Sequence, residues 1–491
     1  MIPIGSRQMK QQGRTGVRML TAAAGMVAAL SACATNPATG GRMLALVSES
    51  QEIEMGQEYK QVIPTQYGLY DDDELQAYVD SVGQALAAVS ERPNLPWSFQ
   101  IVDDPVINAF ALPGGPIYVA RGIMVHFNSE AEMASVLGHE LGHITARHIV
   151  EALSRQQLMG GLLTAGMIFA PGIRPFGDAL GGGLGLLFLK YGRDDESQSD
   201  LLGHRYMTRL GYDPDAATDM FRILERQREA SGRSIPEWQS SHPDPGNRVA
   251  KAEERAAADG HPGGIVRRNE YLRRIDGLVY GEDPMQGYFQ EDRFLHPDLR
   301  FRLDFPAEWP RQNSVSAVTA VSPAEDAVLQ LTAEADKTPA QAAEQFFAIE
   351  SVRRTGSANR TINGLPAIMG SFRADTQGGP LEGLVLFIRH GDLTYQIIGY
   401  TSSSRFGRYS SVFERTMESF AELTDRRLLD VEPKRIDIVE ISSSMSVESF
   451  NERYPSTISM DQLLLLNGWT SGQRVEAGSL AKRVTGRGGP R

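Results

Sequence analysis

The stretch "SVLGHELGHITARH", residues 135–148, constrains the fold most because it holds three of the chain's nine histidines. His139 and His143 are four residues apart, so on an α-helix they lie about 40° apart around the axis and one turn from each other. Both imidazoles can then reach one metal ion. Glu140 is placed beside them, where it can hold a water molecule bound to that ion. The pattern therefore predicts a helix that carries two metal ligands.

The third histidine of this stretch, His148, has a different position. It follows His139 by nine residues, which places it about 180° around a continuous helix. If the helix continues through it, His148 faces away from the ion, and we interpret it as a structural or surface histidine. A third ligand must then come from another segment.

Residues 191–214, "YGRDDESQSDLLGHRYMTRLGYDP", indicate a second helix with an acidic start. Glu196 can complete a zinc site of two histidines and one glutamate, which keeps the fourth position open as a catalytic zinc needs. Asp200, one turn later, can accept a hydrogen bond from a ligand imidazole. From the residues alone, a solvated acidic helix start stabilised by the helix dipole explains the pattern equally well.

The stretch from about residue 48 to residue 258 resembles the bacterial zinc metallopeptidases of the HtpX, BepA and CAAX-prenyl-protease family. The segments that carry the resemblance are "NAFALPGGPIYVARGIM", "LGHELGHITARH", "YGRDDESQSD" and "SSHPDPGNR". In that family the HExxH histidines and the Glu of an R-x-x-E-x-x-A-D segment bind zinc. The resemblance therefore implies one Zn²⁺ per chain, bound by His139, His143 and Glu196.

This chain departs from the family's acidic segment at two positions. Ser199 stands where the family usually has Ala, and Gly192 stands where it usually has Ser. Both residues are small, so the ligand Glu196 is unaffected. The last residue of the segment is Asp200, which the resemblance also retains.

The resemblance implies a zinc metalloendopeptidase. Glu140 would take the proton of the zinc-activated water and later pass it to the leaving amine. A histidine matching His242 can approach the zinc in such relatives and hold the enzyme at rest. Arg248 would hold that loop or stabilise the oxyanion. A rigid proline-containing turn followed by a helix start is the alternative for both residues.

The segment "GGPIYVARGIM" has a further implication under this resemblance. Such enzymes bind the substrate as an added strand along a sheet edge, and backbone pairing gives broad specificity. We expect residues 115–119 to form that edge, with Gly115, Ile117 and Val119 along the substrate.

The N-terminal 32 residues are typical of a secretory signal, with Lys10, Arg14 and Arg18 before the short apolar run "MLTAAAGMVAAL". The run ends in "LSAC", which resembles the bacterial lipobox and implies lipid on Cys33. No Asp follows the Cys, which favours the outer membrane of a Gram-negative bacterium. We therefore expect a lipid-anchored periplasmic protein with a tether over residues 33–47. An ordinary cleaved signal or a cytosolic N-terminus is the alternative.

The rest of the sequence predicts an α+β protein. A mainly helical zincin-type peptidase domain with a small sheet is expected over residues 48–285. Residues 290–425 indicate an α+β domain that resembles PsbP-like domains. Residues 435–485 resemble a LysM module, and LysM modules bind peptidoglycan, although the usual "GDTL" turn is replaced by "SSSMSV". A plain folding module fits that segment equally well.

Glycine-rich apolar runs between Gly160 and Leu189 are each too short to span a membrane. They favour buried helices, with a lid or membrane-facing segment as the alternative. The net charge of −12 argues against nucleic acid as a partner.

Three functions remain open from the sequence. The first is a lipid-anchored zinc metalloendopeptidase that hydrolyses misfolded or misassembled envelope proteins. The second is a chaperone-like or peptidoglycan-associated binding protein with a latent zinc site. The third is a structural protein with a chance HExxH pattern, which the acidic segment around Glu196 argues against.

Overall fold

The computed structural model describes residues 33–158, 191–230, 242, 247–259, 263–376 and 379–488. The predicted signal peptide and the apolar segment Gly160–Leu189 lie outside the described residues. Among the helices that are described, none is long and apolar enough to cross a bilayer.

Helices dominate the N-terminal half, as the sequence predicts. The first three long helices start at side-chain caps, where Ser48, Asp72 and Ser129 each accept a hydrogen bond from a backbone N–H three residues later. The helices here are α1 (Glu49–Tyr67), α2 (Asp73–Ala88), α3 (Arg121–Met124), α4 (Glu130–Thr145), α5 (His148–Leu158), α6 (Arg193–Arg209), α7 (Asp215–Ala230), α8 (Arg248–Asp259) and α9 (Arg268–Arg274).

The helix that carries the HExxH pattern, α4, lies at the centre of this half. All sixteen of its residues are buried. A helix that is buried on every side belongs to the core rather than to a surface. Met133, Leu137 and Leu141 pack in the same hydrophobic cluster as residues of α2, α6, α7 and α9.

A three-stranded sheet packs beside α4, and it corrects one prediction. The strands β3 (Ser98–Val102), β4 (Ala109–Ala111) and β5 (Pro116–Ala120) follow the order β3-β5-β4. The expectation that residues 115–119 form the sheet edge is wrong, because β5 pairs with β3 in parallel and with β4 in antiparallel orientation. Gly115 precedes this middle strand, and Ile117 and Val119 are fully buried within it.

Residues 33–44 also differ from the predicted tether. They form a β-hairpin of β1 (Cys33–Thr35) and β2 (Arg42–Leu44) that packs on α5. The Pro- and Gly-rich residues between the strands close a turn, in which the Asn36 carbonyl accepts from Gly40 N–H at 2.8 Å. Met43 is buried, so the segment is held on the domain.

A seven-stranded antiparallel sheet forms most of residues 290–425. Its order is β12-β13-β14-β15-β11-β10-β9. The strands are β9 (Arg311–Asn313), β10 (Val318–Val321), β11 (Ala327–Ala335), β12 (Val352–Ile362), β13 (Leu365–Thr376), β14 (Gly379–His390) and β15 (Leu393–Ser402).

Two helices cover opposite faces of this sheet, α10 (Pro339–Phe347) and α11 (Phe406–Glu418). Successive strand residues point to opposite faces. Val385 and Phe387 accordingly pack in the cluster that includes α10, while Leu386 and Ile388 pack with α11.

A smaller sheet of order β16-β8-β7-β6 flanks the large sheet in sequence. Its strands are β6 (Tyr288–Gln290), β7 (Arg293–His296), β8 (Phe301–Asp304) and β16 (Ala421–Glu422), and the short helix α12 (Arg426–Leu429) follows β16.

The C-terminal module consists of short strands and two helices. It contains β17 (Arg435–Glu440), β18 (Met445–Ser446), α13 (Val447–Arg453), α14 (Met460–Asn467), β19 (Arg474–Val475) and β20 (Leu480–Thr485), with β17 paired to β20 and β18 to β19.

This module is joined to the N-terminal half of the chain. Leu466, Leu480 and Val484 belong to the same hydrophobic cluster as α4. The Lys482 ammonium is fully buried and donates to the carbonyls of Val125 and Phe127 at 2.8 and 2.9 Å, just before α4 begins.

We expect Lys482→Ala to destabilise the protein by about 2–4 kcal/mol, because it leaves a cavity and two buried carbonyls without a donor. Arg474→Ala, at a side chain that is 68 % exposed in the same module, should change the unfolding free energy by less than about 0.5 kcal/mol. Urea unfolding of both variants measures the difference. Equal midpoints would show that the module is not coupled to the N-terminal half through Lys482.

Candidate metal centre

Small residues let α4 and α6 come into backbone contact. A Cβ added to Gly203 would lie 2.8 Å from the backbone nitrogen of His139, and one added to Gly138 would lie 3.1 Å from the Cα of Gly203. One turn along, a Cβ on Gly142 would lie 3.1 Å from the Cα of Ser199. This contact brings the acidic start of α6 beside the two histidines of α4.

Four predicted residues meet at this contact. His139, His143, Glu196 and His242 each offer one ligand atom, and these atoms lie within 4.8 Å of one another. The Nε2 atoms of His139 and His143 are 3.1 Å apart. Glu196 Oε1 lies 3.4 Å from His143 Nε2, and Glu196 Oε2 lies 3.5 Å from His139 Nε2. All four side chains are buried.

Asp200 and Arg248 orient His139 from behind. Asp200 Oδ1 lies 2.9 Å from His139 Nδ1, so it accepts the proton of that nitrogen and leaves Nε2 facing the cluster. The Arg248 guanidinium makes a bidentate ion pair with Asp200, at 2.6 and 3.0 Å. The same guanidinium lies over the ring of Phe221, with Cζ 4.4 Å from the ring centroid. The structure thus places both residues in support of a ligand candidate.

The protonation states suit a cation. Burial acts to raise the pKa of Glu196, but His242, His139 and His143 together hold it well below its usual range. Burial holds the pKa of His143 well below its usual value, so this imidazole is neutral. Burial acts to lower the pKa of His139, but its hydrogen bonds with Asp200 and Glu196 raise it to about 9. Cation binding near neutral pH must therefore release a proton from His139.

Glu140 lies next to the cluster and is fully buried. Burial raises the pKa of its carboxyl group, against the charges of His242 and His139. Neither of its oxygens has a hydrogen-bond partner among the described residues. A buried carboxylate without partners is costly, so this group is suited to exchange a proton with a molecule that enters the site.

His242 lies inside the cluster rather than beside it. Its Nδ1 is 3.0 Å from Glu196 Oε1 and 3.3 Å from His139 Nε2, and its Nε2 is 3.5 Å from Glu140 Oε1. It therefore occupies the place of a fourth ligand, next to the carboxylate predicted to act as the base.

His148 stays outside the group of four, but not for the predicted reason. The helix does not continue through it, because α4 ends at Thr145 and Arg147 has a φ of 62°. The chain turns, and α5 begins at His148. The His148 ring is buried and its Nδ1 lies 3.0 Å from His143 Nδ1, on the side of His143 opposite the cluster.

Tyr191 is a residue of the site that the sequence reasoning missed. Its ring stacks on His143, with centroids 3.7 Å apart and planes tilted by 26°. Burial raises the pKa of its hydroxyl well above the usual value. The only signal was an aromatic residue directly before the acidic helix, which the sequence alone did not connect to His143.

Three residues of the group, His139, His143 and Glu196, fit a zinc ion by their chemistry. Their two imidazoles and one carboxylate are ligands that zinc prefers. Bonds of about 2.0–2.1 Å in a tetrahedral site place neighbouring ligand atoms about 3.3 Å apart. The separations of 3.1, 3.4 and 3.5 Å between His139, His143 and Glu196 agree with that value.

Gly203→Ala should weaken zinc binding by about 10- to 100-fold, because its Cβ forces α6 away from α4 and moves Glu196 from the histidines. Gly407→Ala is the matched control, since a Cβ there meets nothing within 4 Å. Chelator competition gives the zinc dissociation constants of the two variants for comparison with wild type. Unchanged zinc affinity in Gly203→Ala would mean that the helix contact does not set the site.

Comparison with known proteins shows what the segment that holds this site is similar to. Residues 73–256 match Peptidase family M48. The chain is 30% identical over 261 residues to the beta-barrel assembly-enhancing protease of Yersinia pestis, covering 50% of this chain and 52% of the relative. It is 32% identical over 174 residues to the mitochondrial metalloendopeptidase OMA1 of Arabidopsis thaliana, covering 35% of this chain and 34% of the relative.

The chain thus spans about half or less of the length of these relatives. Among solved structures, cyanobacterial PsbP from Synechocystis is similar at 13% identity and a TM-score of 0.23, over 26% of this chain and 91% of that chain. That similarity is too low to assign residues 290–425 to a known fold. The histidine pair, the acidic helix and the match to Peptidase family M48 fall on one segment, residues 73–256.

Proposed function

We propose that this chain is a zinc-dependent metalloendopeptidase. The observation that carries the proposal is the meeting of His139 and His143 of α4 with Glu196 of α6, beside a buried Glu140 that has no hydrogen-bond partner among the described residues. The family match to residues 73–256 and the metalloendopeptidase relatives support it.

His139, His143 and Glu196 would hold the zinc ion. When bound, a catalytic zinc activates a water molecule and polarises the scissile carbonyl. Glu140 accepts the proton of the attacking water and passes it to the leaving amine. Asp200 keeps the His139 ring oriented, and Arg248 keeps Asp200 ionised by its bidentate contact.

The substrate strand is reassigned by the sheet order. Since β5 is the middle strand, the edge closer to α4 is β4 (Ala109–Ala111), which packs against that helix. Asn108 and Leu112 bond to β5 through their backbone groups. Alternation along the strand then directs the N–H and C=O of Ala109 and Ala111 to the other side. We propose that an extended substrate pairs with β4, which gives broad specificity.

The position of His242 favours a resting form of the enzyme. Its ring lies between Glu196 and Glu140, where the water and the substrate carbonyl need access. We propose that His242 leaves this position during turnover. The same contact is what a latent zinc site in a binding protein would show, so His242 distinguishes the two functions.

The cell envelope is the proposed place of action. The relatives named beta-barrel assembly-enhancing protease support misfolded or misassembled envelope proteins as substrates. Lipid on Cys33 would anchor the chain at the outer membrane, facing the periplasm. Peptidoglycan binding by the C-terminal module has less support, because that module shares a hydrophobic cluster with the peptidase half.

Glu140→Gln should lower the hydrolysis of an unfolded protein by about 10²- to 10⁴-fold and leave bound zinc unchanged, because Gln keeps the shape but cannot accept a proton. Glu196→Ala should lose the zinc as well. Glu344→Gln, an exposed site on α10, is the control and should behave as wild type. Metal analysis and a fluorescent casein assay give both readouts. Wild-type hydrolysis by Glu140→Gln would contradict the assigned base.

His242→Ala should raise kcat/KM for the same substrate on the order of 10-fold at unchanged zinc content. If His242 occupies the site most of the time, only a small fraction of the enzyme can bind substrate, and the apparent affinity for substrate falls by that fraction. A variant that binds zinc but cuts nothing, even without His242, would favour the latent binding protein. A fall in kcat would instead show that His242 takes part in turnover.

A further inference from the structure

A chain of buried polar contacts joins the N-terminal hairpin to His143. Asn36 Nδ2 lies 3.3 Å from Gln198 Oε1 and 3.1 Å from the carbonyl of Ala146. Gln198 Oε1 lies 2.8 Å from His148 Nε2. His148 Nδ1 lies 3.0 Å from His143 Nδ1. The contacts thus run without a gap from the segment after Cys33 to a candidate zinc ligand.

The donor and acceptor roles along this chain follow from one another. If His143 Nε2 faces the metal, its Nδ1 carries the proton and donates to His148 Nδ1. His148 Nδ1 is then the acceptor, so its proton is on Nε2, which donates to Gln198 Oε1. The same oxygen accepts from the Asn36 amide. Every atom has a matching partner in this assignment.

The turn between α4 and α5 is what makes the contact possible. Arg147 has a φ of 62°, a conformation uncommon for a residue other than glycine. Its guanidinium donates to Glu52 Oε2 at 2.8 Å and to the Val47 carbonyl at 3.0 Å. Arg92 holds the other oxygen of Glu52 at 2.8 Å and the Ile144 carbonyl at 2.8 Å. These bonds fix the turn that returns His148 behind His143.

The two histidines and Asn36 lie away from water, and Gln198 is half-buried. His143 is fully buried, His148 is 3 % exposed and Asn36 is 7 % exposed. Ser199 Oγ lies 3.4 Å from His148 Nδ1, the longer of the two contacts that this nitrogen makes among the described residues. In such surroundings an unmatched donor or acceptor is costly, so the network specifies one orientation of the His143 ring.

We infer that His148 is a positioning residue for the zinc ligand His143, and that Asn36 and Gln198 fix the tautomer in which it acts. His139 is oriented by Asp200 and Arg248, while His143 is oriented by this separate network. The inference rests on the proposed zinc site, which it deepens by naming the support of the second histidine ligand.

Zinc affinity of the full-length mature chain tests the inference, measured by chelator competition without any assay of hydrolysis. His148→Leu should weaken zinc binding by about 10- to 100-fold, because His143 loses its acceptor. His148→Gln should restore part of the affinity, since its amide oxygen can accept from His143. His204→Leu is the control and should bind zinc as wild type. His204 is a buried histidine on α6, and its hydrogen-bond partner is Asp259.

Asn36→Ala keeps His148 in place and covers the case in which His148→Leu does not fold. It should weaken zinc binding in the same direction by a smaller factor. Wild-type affinity in His148→Leu, or in Asn36→Ala where His148→Leu fails to fold, would overturn the inference and leave the zinc site standing. A wild-type chain that binds no zinc would overturn the proposed function itself.

Discussion

The backbone contact between α4 and α6 is the constraint on which the site depends. Gly138, Gly142 and Gly203 have no side chain at this contact, and Ser199 has a small one. Each glycine lowers helix propensity by about 1 kcal/mol relative to Ala, and burial of α4 on every side offsets that loss. These small residues therefore determine how closely the two helices pack, and the close packing brings the ligands together.

Two different networks hold the two histidines of α4. His139 bonds to an ionised carboxylate, Asp200, which an arginine neutralises. His143 bonds to another histidine, whose shortest other contact is the neutral amide of Gln198, with the Asp195 carboxylate farther away at 3.8 Å. A carboxylate acceptor makes an imidazole a more basic ligand than a neutral acceptor does, so the two ligands are expected to differ in strength. Tyr191 covers the face of His143 and limits access of water to that side.

Local rules predicted much of this molecule because the relevant signals are short. The four-residue spacing of His139 and His143 and the acidic start of the helix that carries Glu196 both depend on neighbours in sequence. The errors concern contacts between distant segments. The middle position of β5, the docking of the hairpin after Cys33 and the burial of Lys482 depend on tertiary packing, which periodicity does not encode. His148 stays outside the ligand group as predicted, but the premise of a continuous helix was wrong because a positive φ at Arg147 redirects the chain.

We expect a zinc ion to bind where α4 meets α6. Diffraction data collected on both sides of the zinc absorption edge, from crystals of the zinc-loaded protein, test this most directly. One anomalous peak is expected, with His139 Nε2, His143 Nε2 and Glu196 within about 2.0–2.2 Å. A peak bound through His148, or the absence of any peak between these helices in zinc-loaded crystals, would contradict it.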